Sequence, residues 1–208
     1  DFELGWRHNK GNFTFNANMY YMLYNEQLVL SGQLDDVGNP IRTNSGKSYR
    51  LGLELEAIIP MTSKLTLQPN MTISTNKNEK TIVSGDTGLV KLGNTDLAFS
   101  PDLIAANAVV FQPNENLQMS LLSKYVGSQF MTNTENKQSQ LDSYFVNDFN
   151  ITYTLETKTI FKSVVFTGLV NNIFNKKYVS NGADYGGGYI YYYPQATTNF
   201  LVGVTLNF

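Results

Sequence analysis

Apolar and polar residues alternate with a period of two at the end of the chain. Every second position from 200 to 208 is apolar: Phe200, Val202, Val204, Leu206 and Phe208. The positions between them are mostly small or polar, and this period predicts a strand whose two faces meet different surroundings. The apolar face meets either a protein core or lipid.

The same alternation recurs along the whole chain and predicts about nine strands, with no convincing helix. Seven segments alternate clearly and two are blurred. The clear segments are 2–7, 13–23, 49–59, 65–74, 117–125, 145–153 and 200–208, and the blurred ones are about 103–111 and 163–174. We expect strands of about 11 to 13 residues, which suit a tilted membrane strand of roughly 9–11 residues with some overhang.

The connections between these strands alternate between short and long. The short ones are HNKGN, PMTSK, QPNEN and ETKTIFK, and the long polar ones are about 31–47, 77–101, 133–142 and 175–196. Short turns at one end and long loops at the other are typical of an outer-membrane β-barrel. Trp6, Phe13, Tyr125 and Phe208 fall near predicted strand ends, where aromatic girdles lie. The sequence therefore predicts lipid on the apolar face.

The strand count indicates a larger barrel. Bacterial single-chain barrels have an even number of strands. An open sheet edge in lipid leaves backbone groups unpaired at several kcal/mol each. We therefore expect this all-β chain to be the C-terminal portion of a transmembrane antiparallel β-barrel, with residues 1–208 all belonging to it.

Composition excludes several classes of function. Charged residues are 15% of the chain, against a usual value of about 25%. The net charge of −2 gives no basic field for a nucleic-acid partner. The absence of Cys excludes disulfides, zinc–thiolate sites and cysteine catalysis. No apolar run reaches the 18 or so residues of a membrane helix.

Two segments near the end of the chain carry a family resemblance. LVNNIFNKKYVSNG followed by YYYPQATTNFLVGVTLNF resembles the C-terminal end of TonB-dependent outer-membrane receptors. The hairpin that begins NANMYYMLYNEQ resembles the siderophore and iron-type receptors, in the style of Bacteroidota sequences. The resemblance implies the last nine strands of a 22-stranded barrel in the outer membrane, with a plug domain and a TonB box elsewhere in the protein.

The resemblance also implies function and partners. Such receptors import a scarce nutrient, most often a ferric siderophore, with energy from the TonB complex. It implies that Phe208 and its partners Phe200, Val202, Val204 and Leu206 are read by the barrel-assembly machinery. Outer-membrane lipid and a surface lipoprotein are the other expected partners. The alternatives are a receptor for haem, cobalamin or glycans, and a passive porin with charge rings in its lumen.

The most informative candidate site is a tyrosine-rich loop. Its aromatic residues are Tyr185, Tyr189, Tyr191, Tyr192 and Tyr193, and Gly186, Gly187 and Gly188 would let it move. We expect either a ligand platform at the barrel mouth or loop packing with the outer girdle.

The remaining polar candidates have simpler interpretations. His8 is expected in a tight turn, away from any ligand. Asp35 and Asp36 suit a solvated turn better than a calcium loop. Glu54 and Glu56 are expected to face the lumen and to form cross-strand ion pairs with Arg50 and Lys64. The sequence shows no catalytic constellation, so we expect no enzyme activity, resident metal or cofactor.

Overall fold

Sixteen strands and one short 3₁₀ helix make up the described part of the computed structural model, which covers residues 1–35, 37, 39–44, 46–85, 88–157, 160–186 and 188–208. The strands are β1 Phe2–Lys10, β2 Phe13–Asn25, β3 Leu28–Leu34, β4 Pro40–Asn44, β5 Lys47–Pro60, β6 Leu65–Gly85, β7 Gly88–Asp96, β8 Leu103–Asn114, β9 Leu117–Val126, β10 Gln129–Phe130, β11 Gln140–Leu141, β12 Tyr144–Glu156, β13 Ser163–Asn171, β14 Val179–Asp184, β15 Ile190–Pro194 and β16 Asn199–Asn207. The 3₁₀ helix is Lys137–Ser139. No helix within the described ranges is long and apolar enough to cross a membrane.

Nine of the strands form one antiparallel sheet in the order β1-β2-β5-β6-β8-β9-β12-β13-β16, and β7 pairs with β6. These nine are the strands that the alternation predicts, so the all-β antiparallel fold class is confirmed. Each strand pairs with the next of the nine along the chain, as expected for a sheet built from successive hairpins. The sheet stays open within the described residues, with β1 and β16 at its two edges.

The strand register gives the sheet one apolar and one polar face. Leu4 pairs with Met19, Met19 with Leu53, and Leu53 with Ile73, so one row crosses four strands on the apolar face. A row on the other face joins Arg7, Asn16, Glu56 and Asn70, which line a hollow of about 690 Å³. The polar face is therefore the concave one, and the apolar face is convex.

Strand length differs from the prediction at several positions. The expected 11 to 13 residues hold for β2, β8 and β12, with 13, 12 and 13 residues. In contrast, β1, β13 and β16 have 9 residues each and β6 has 21. The length of β6 arises because its second half leaves the main sheet and pairs with β7 as a projecting hairpin.

The long connections contain strands, which corrects the expectation of plain loops. Hairpins β3–β4 and β14–β15, the short pair β10–β11 and the β6–β7 hairpin all lie there. In water neither face of a hairpin has to be apolar, so the period-two signal that revealed the sheet strands is absent. The connections at the other end are short, as predicted. The first is a turn at Gly11, whose φ is +57°.

Candidate functional site

A small hydrophobic core lies at the end of the sheet strands where the long connections meet. The buried apolar residues of the described chain are Leu97, Val126, Met131, Leu141 and Val146. Val126 and Val146 come from the ends of β9 and β12, and the other three come from the connections. We call these five residues the rim core. It packs the connections onto the ends of the wall strands.

Backbone and side-chain hydrogen bonds hold the segments of the rim core together. The N–H of Leu97 donates to the carbonyl of Asn76 over 3.0 Å, and the N–H of Met131 donates to the carbonyl of Ser139 over 2.9 Å. The N–H of Ala98 donates to Oδ1 of Asn133 over 2.9 Å. These bonds join segments that lie far apart in the chain, so the rim is an ordered structure.

A charged cluster lies beside the rim core. Lys77 makes an ion pair with Asp96, and its Nζ is 3.8 Å from Oε1 of Glu135. The same Oε1 accepts the backbone N–H of Asp96 over 2.6 Å. Burial and the negative charge of Asp96 raise the pKa of Asp102 above its ordinary value. The cluster therefore links the end of β7 to the connection between β10 and β11.

One face of the tyrosine-rich β14–β15 hairpin is docked on the rim. Tyr192 pairs with Gly182, so both lie on the same side of the hairpin. A Cβ added at Gly182 would lie 2.5 Å from Sδ of Met131, which shows how closely the hairpin approaches the rim core. The hydroxyl of Tyr192 donates to the carbonyl of Gln138 over 2.5 Å. Tyr192 therefore serves loop packing in this structure.

The other predicted tyrosines are placed differently. Tyr191 and Tyr193 lie on the opposite side of β15, and the rings of Tyr185 and Tyr191 meet edge to face at 5.6 Å between centroids. Tyr189 is 68% exposed at the hairpin tip. The structure brings Tyr185 and Tyr191 together and separates them from Tyr192. Gly186 and Gly188 have φ of +77° and +88°, and Gly187 lies outside the described residues.

The NNIFNKKY segment forms a hydrogen-bonded turn around Asn172, which is 4% exposed. We call it the Asn172 turn. Its Nδ2 donates to the carbonyls of Lys176 and Ala196 over 2.8 and 3.3 Å, and its Oδ1 accepts the N–H of Lys176 over 2.8 Å. The hydroxyl of Thr198 donates to the carbonyl of Asn172 over 2.7 Å. One side chain thus ties the start of the last long connection to its end.

A groove lies beside the Asn172 turn, and the sequence did not predict it. The groove has a volume of about 390 Å³ and lies between β11 and the β14–β15 hairpin. The described residues lining it are Gln140, Leu141, Asp142, Ser143, Lys176, Lys177, Tyr178, Val179, Tyr192 and Pro194. We call it the rim groove. Its two exposed lysines outnumber its one carboxylate, that of Asp142, and together with its two tyrosines they suit an anionic ligand with flat rings.

Tyr178 connects this groove to the wall. Its ring lies 4.5 Å from that of Tyr144 at the start of β12, measured between centroids. Burial, followed by the negative charge of Asp148, raises the pKa of the Tyr178 hydroxyl. The sequence signal was the lysine pair before an aromatic residue at the start of the tyrosine-rich loop, in which only the tyrosines from 185 onward were predicted to contact a ligand.

The ion pairs predicted on the concave face are wrong. Glu56 accepts from Nδ2 of Asn16 over 2.5 Å, and Glu54 accepts from Nδ2 of Asn18 over 3.4 Å. Arg50 donates to Asn76 and Ser100 over 3.1 Å each. Arg50 and the glutamates share a face, as predicted, but Arg50 lies nearer the rim on β5. Lys64 lies in the turn before β6 at the opposite end.

His8 and Asp35 differ in outcome. The expectation of His8 in a tight turn is wrong, because β1 continues to Lys10 and the His8 ring stacks 6.0 Å from that of Trp6. Oδ1 of Asp35 accepts the N–H groups of Val37 and Asn39, as in a turn, and Asp36 lies outside the described residues. No three His, Cys, Asp or Glu side chains in the described ranges are grouped as metal ligands.

The proposed assembly signal occupies the convex face of β16. Phe200, Val202, Val204 and Leu206 pair with alternate residues of β13 and share one side of the strand. Phe200 is 79% exposed. The ring of Phe208 lies 4.9 Å from that of Phe161 in the last short connection. The geometry places these residues on the apolar face and leaves their role in assembly a prediction.

Comparisons with known proteins agree with this architecture. A family model described as TonB dependent receptor-like, beta-barrel matches residues 1–173. No curated protein matches the sequence. Among solved structures, the siderophore receptor PiuA from Acinetobacter baumannii is similar with a TM-score of 0.70 at 16% identity. The ferric yersiniabactin uptake receptor FyuA from Yersinia pestis has a TM-score of 0.70 at 18% identity, and the copper transporter OprC has 0.71 at 20%.

The similarity covers nearly all of this chain and a smaller share of those structures. The shares of this chain are 96%, 97% and 97%, and the shares of PiuA, FyuA and OprC are 27%, 28% and 30%. These identities establish the fold alone, whereas the family model spans most of the sequence. The chain belongs to the TonB-dependent receptor family and carries the β-barrel part of its fold.

Proposed function

We propose that this chain forms part of the wall and outer rim of an outer-membrane receptor. The receptor imports a ferric siderophore or another iron chelate, with energy from TonB. The observation that carries the proposal is that the two faces of the sheet differ. The convex face is apolar, the concave face is polar, and an ordered rim lies at one end of the strands. The family consists of outer-membrane transport receptors that interact with TonB, and not of enzymes.

The convex face supports a place in lipid. Phe2, Leu4 and Trp6 are 68%, 70% and 61% exposed, and the apolar row continues across the sheet. Removing one such side chain from water contributes about 1.5–3 kcal/mol, so a continuous apolar face of this size favours a bilayer over water. The concave face then lines the interior, with Asn16, Glu56 and Asn70 in its polar row.

The open sheet supports a larger barrel. Within the described chain, β1 pairs only with β2 and β16 only with β13. In lipid both free edges require further strands, because unpaired backbone groups cost several kcal/mol each. The resemblance of the closing segment to receptor C-termini favours a place at the end of that barrel, with a plug and TonB box encoded elsewhere. Barrel-assembly machinery and a surface lipoprotein are the further partners in this proposal.

The rim groove supports an anionic chelate as ligand. Lys176, Lys177 and Tyr178 offer positive charge beside aromatic surface. PiuA and FyuA are named for siderophore and ferric yersiniabactin uptake, whereas OprC is named for copper. The shared fold is thus compatible with more than one metal, and receptors for haem, cobalamin or glycans are the alternatives. A passive porin is a second class.

Uptake of radiolabelled iron into whole cells tests the proposal. Cells with and without the intact protein are compared under iron limitation, each with and without TonB. We expect uptake that requires both. Solute entry that needs the protein but not TonB would favour the porin, and uptake of another nutrient would change the ligand only. The intact mass of the native protein tests the larger barrel, which requires a species well above 23.3 kDa.

A further inference from the structure

We propose that the convex face of the β1–β2 hairpin, near its turn, binds an anionic phospholipid headgroup of the periplasmic leaflet. The inference rests on the proposed membrane orientation, in which the short turns face the periplasm. The site consists of Trp6, His8 and Lys10 with Phe13 and Phe15, and we call it the hairpin patch. The uptake function does not require it.

The register places all five side chains on one surface. Trp6 pairs with Ala17, His8 with Phe15 and Lys10 with Phe13, so the three β1 residues share the convex side with the two phenylalanines. The Trp6 and His8 rings are stacked at 6.0 Å with 27° between their planes. The ring of Trp6 lies 5.5 Å from that of Phe15, and the ring of His8 lies 6.1 Å from that of Phe13. The result is a continuous aromatic floor.

Hydrogen-bond donors project from this floor without acceptors. The indole N–H of Trp6, an imidazole N–H of His8 and the ammonium of Lys10 make no hydrogen bond to protein among the described residues. In contrast, Arg7 points to the concave side and donates to Asn16 over 3.0 Å. Three unpaired donors within a five-residue stretch of β1 suit a ligand with several acceptor oxygens, such as a phosphodiester.

The charge on this side of the sheet favours an anion. The acidic side chains of the first two strands and of β5 are Glu3, Glu54 and Glu56, and their positions in the register put them on the concave face. Among these three described strands, the convex side near the turn therefore carries the positive charge of Lys10 with no carboxylate beside it. A basic side chain near the membrane surface attracts anionic lipid, and an aromatic floor places its rings at headgroup level.

The level in the membrane also fits. Trp6, His8 and Lys10 lie within five residues of Gly11, where the chain turns. At this distance from the turn a tilted strand passes through the interface, where the phosphate groups of lipids lie. The hairpin patch is therefore placed to contact phosphate, whereas Phe2 and Leu4 lie deeper, at the level of the acyl chains.

Lipid retention by the intact receptor tests the inference. The protein is purified from outer membranes into nanodiscs of phosphatidylcholine with a quarter of phosphatidylglycerol, and the lipid that remains after mild delipidation is counted by native mass spectrometry. We expect retained phosphatidylglycerol to exceed its share of the mixture. The double variant His8→Phe and Lys10→Gln keeps the aromatic floor and should lower this excess about fivefold.

Lys64→Gln is the matched control, because Lys64 lies in the next short turn and has no aromatic residue within that turn, 61–64. It should leave the excess unchanged. Equal retention of the two lipids by the unaltered protein, or equal effects of the two variants, would overturn the inference. Fractionation and TonB-dependent uptake are measured in parallel. Loss of the lipid preference with uptake intact removes this inference alone, whereas absence from the outer membrane removes the proposed function.

Discussion

At the scale of single residues, Asn172 combines an unusual backbone conformation with several side-chain hydrogen bonds. Its φ of +50° is a left-handed conformation that Asn and Gly adopt more readily than other residues. Its amide supplies a donor and an acceptor on two separate atoms to the same turn, which a carboxylate cannot do because it only accepts. Conformation and hydrogen bonding together explain why an asparagine stands here.

Replacing Asn172 by Asp should destabilise the Asn172 turn. Asp tolerates the left-handed conformation but lacks the Nδ2 donor, and its carboxylate would face the carbonyls of Lys176 and Ala196. We expect a loss of about 1–3 kcal/mol in the local opening free energy, measured by hydrogen exchange over residues 172–198. Asn175→Asp is the control, because Oδ1 of Asn175 only accepts, from the N–H of Thr198 over 3.4 Å. Equal losses would contradict the interpretation.

Asp102 should make rim stability depend on pH. Its pKa in the fold is raised above the ordinary value of 3.8, first by burial and then by Asp96, so the folded state binds this proton more tightly than the unfolded state. Stability from this group therefore falls as pH rises from 3.8 through the raised pKa, and it is recovered on acidification. Asp102→Asn should remove this component.

The measurement for Asp102 is exchange of the Ser74 amide, whose N–H donates to the carbonyl of Asp102 over 2.8 Å. After correction for intrinsic exchange, the amide should gain more protection on mild acidification in the unaltered protein than in the variant. The same pH dependence in both proteins would contradict the assignment to Asp102.

At the scale of elements, the β14–β15 hairpin should depend on Gly182. Alanine there would place Cβ 2.5 Å from both Sδ of Met131 and the carbonyl oxygen of Tyr191, and the backbone oxygen cannot move aside easily. We expect Gly182→Ala to undock the hairpin, measured as faster hydrogen exchange and protease cleavage between 179 and 194. Gly203→Ala is the control, since nothing lies within 4 Å of its added Cβ. Cleavage that stays slow in Gly182→Ala would show that the rim yields.

The two sides of that hairpin should differ in their effect on ligand binding. Tyr191, in ring contact with Tyr185, is free on the side away from the rim, whereas Tyr192 is bonded to Gln138. If the tyrosines form a ligand platform, Tyr191→Ala should weaken chelate binding about three- to tenfold, as expected for a lost aromatic contact. Tyr192→Phe should change hairpin exchange more than affinity. Titration of the intact protein with the imported chelate decides, and no effect of Tyr191→Ala would leave loop packing as the role.

The sequence predicts elements best where one face of a strand is apolar. The nine strands of the main sheet order were all visible in the sequence, including the blurred β8, where Ala and Val occupy both faces. The projecting β7 was missed, because its apolar residues Leu89, Val90 and Leu92 are divided between its two sides. Contacts within the rim depend on distant segments, such as Gly182 against Met131. No local pattern predicts such contacts, so the tyrosine side of the site was found and the rim groove was not.

At the scale of the whole molecule, the sheet order follows from short hairpins, and its sidedness follows from alternation. The cross-strand chemistry of the concave face was not predictable in the same way. Shared face alone suggested that Arg50 would meet Glu54, but the register places Arg50 opposite Met22 and Asn76. Alternation within one strand predicts which face a residue lies on. Whether two residues meet also depends on how far along the sheet each one lies, and the register of all the strands sets that position.

The 21 residues of β6 have a consequence for what the cell exposes to its surroundings. At about 3.3 Å per residue the strand has a contour length of about 70 Å, well beyond the roughly 9–11 residues that a membrane requires. In the proposed orientation the β6–β7 hairpin projects outward from the cell, beyond the membrane-spanning part of the sheet. Antibodies and phages could therefore reach it. Because residues 81–85 and 88–93 pair with each other and with no other described strand, immune selection could change their sequence rapidly without disturbing the sheet.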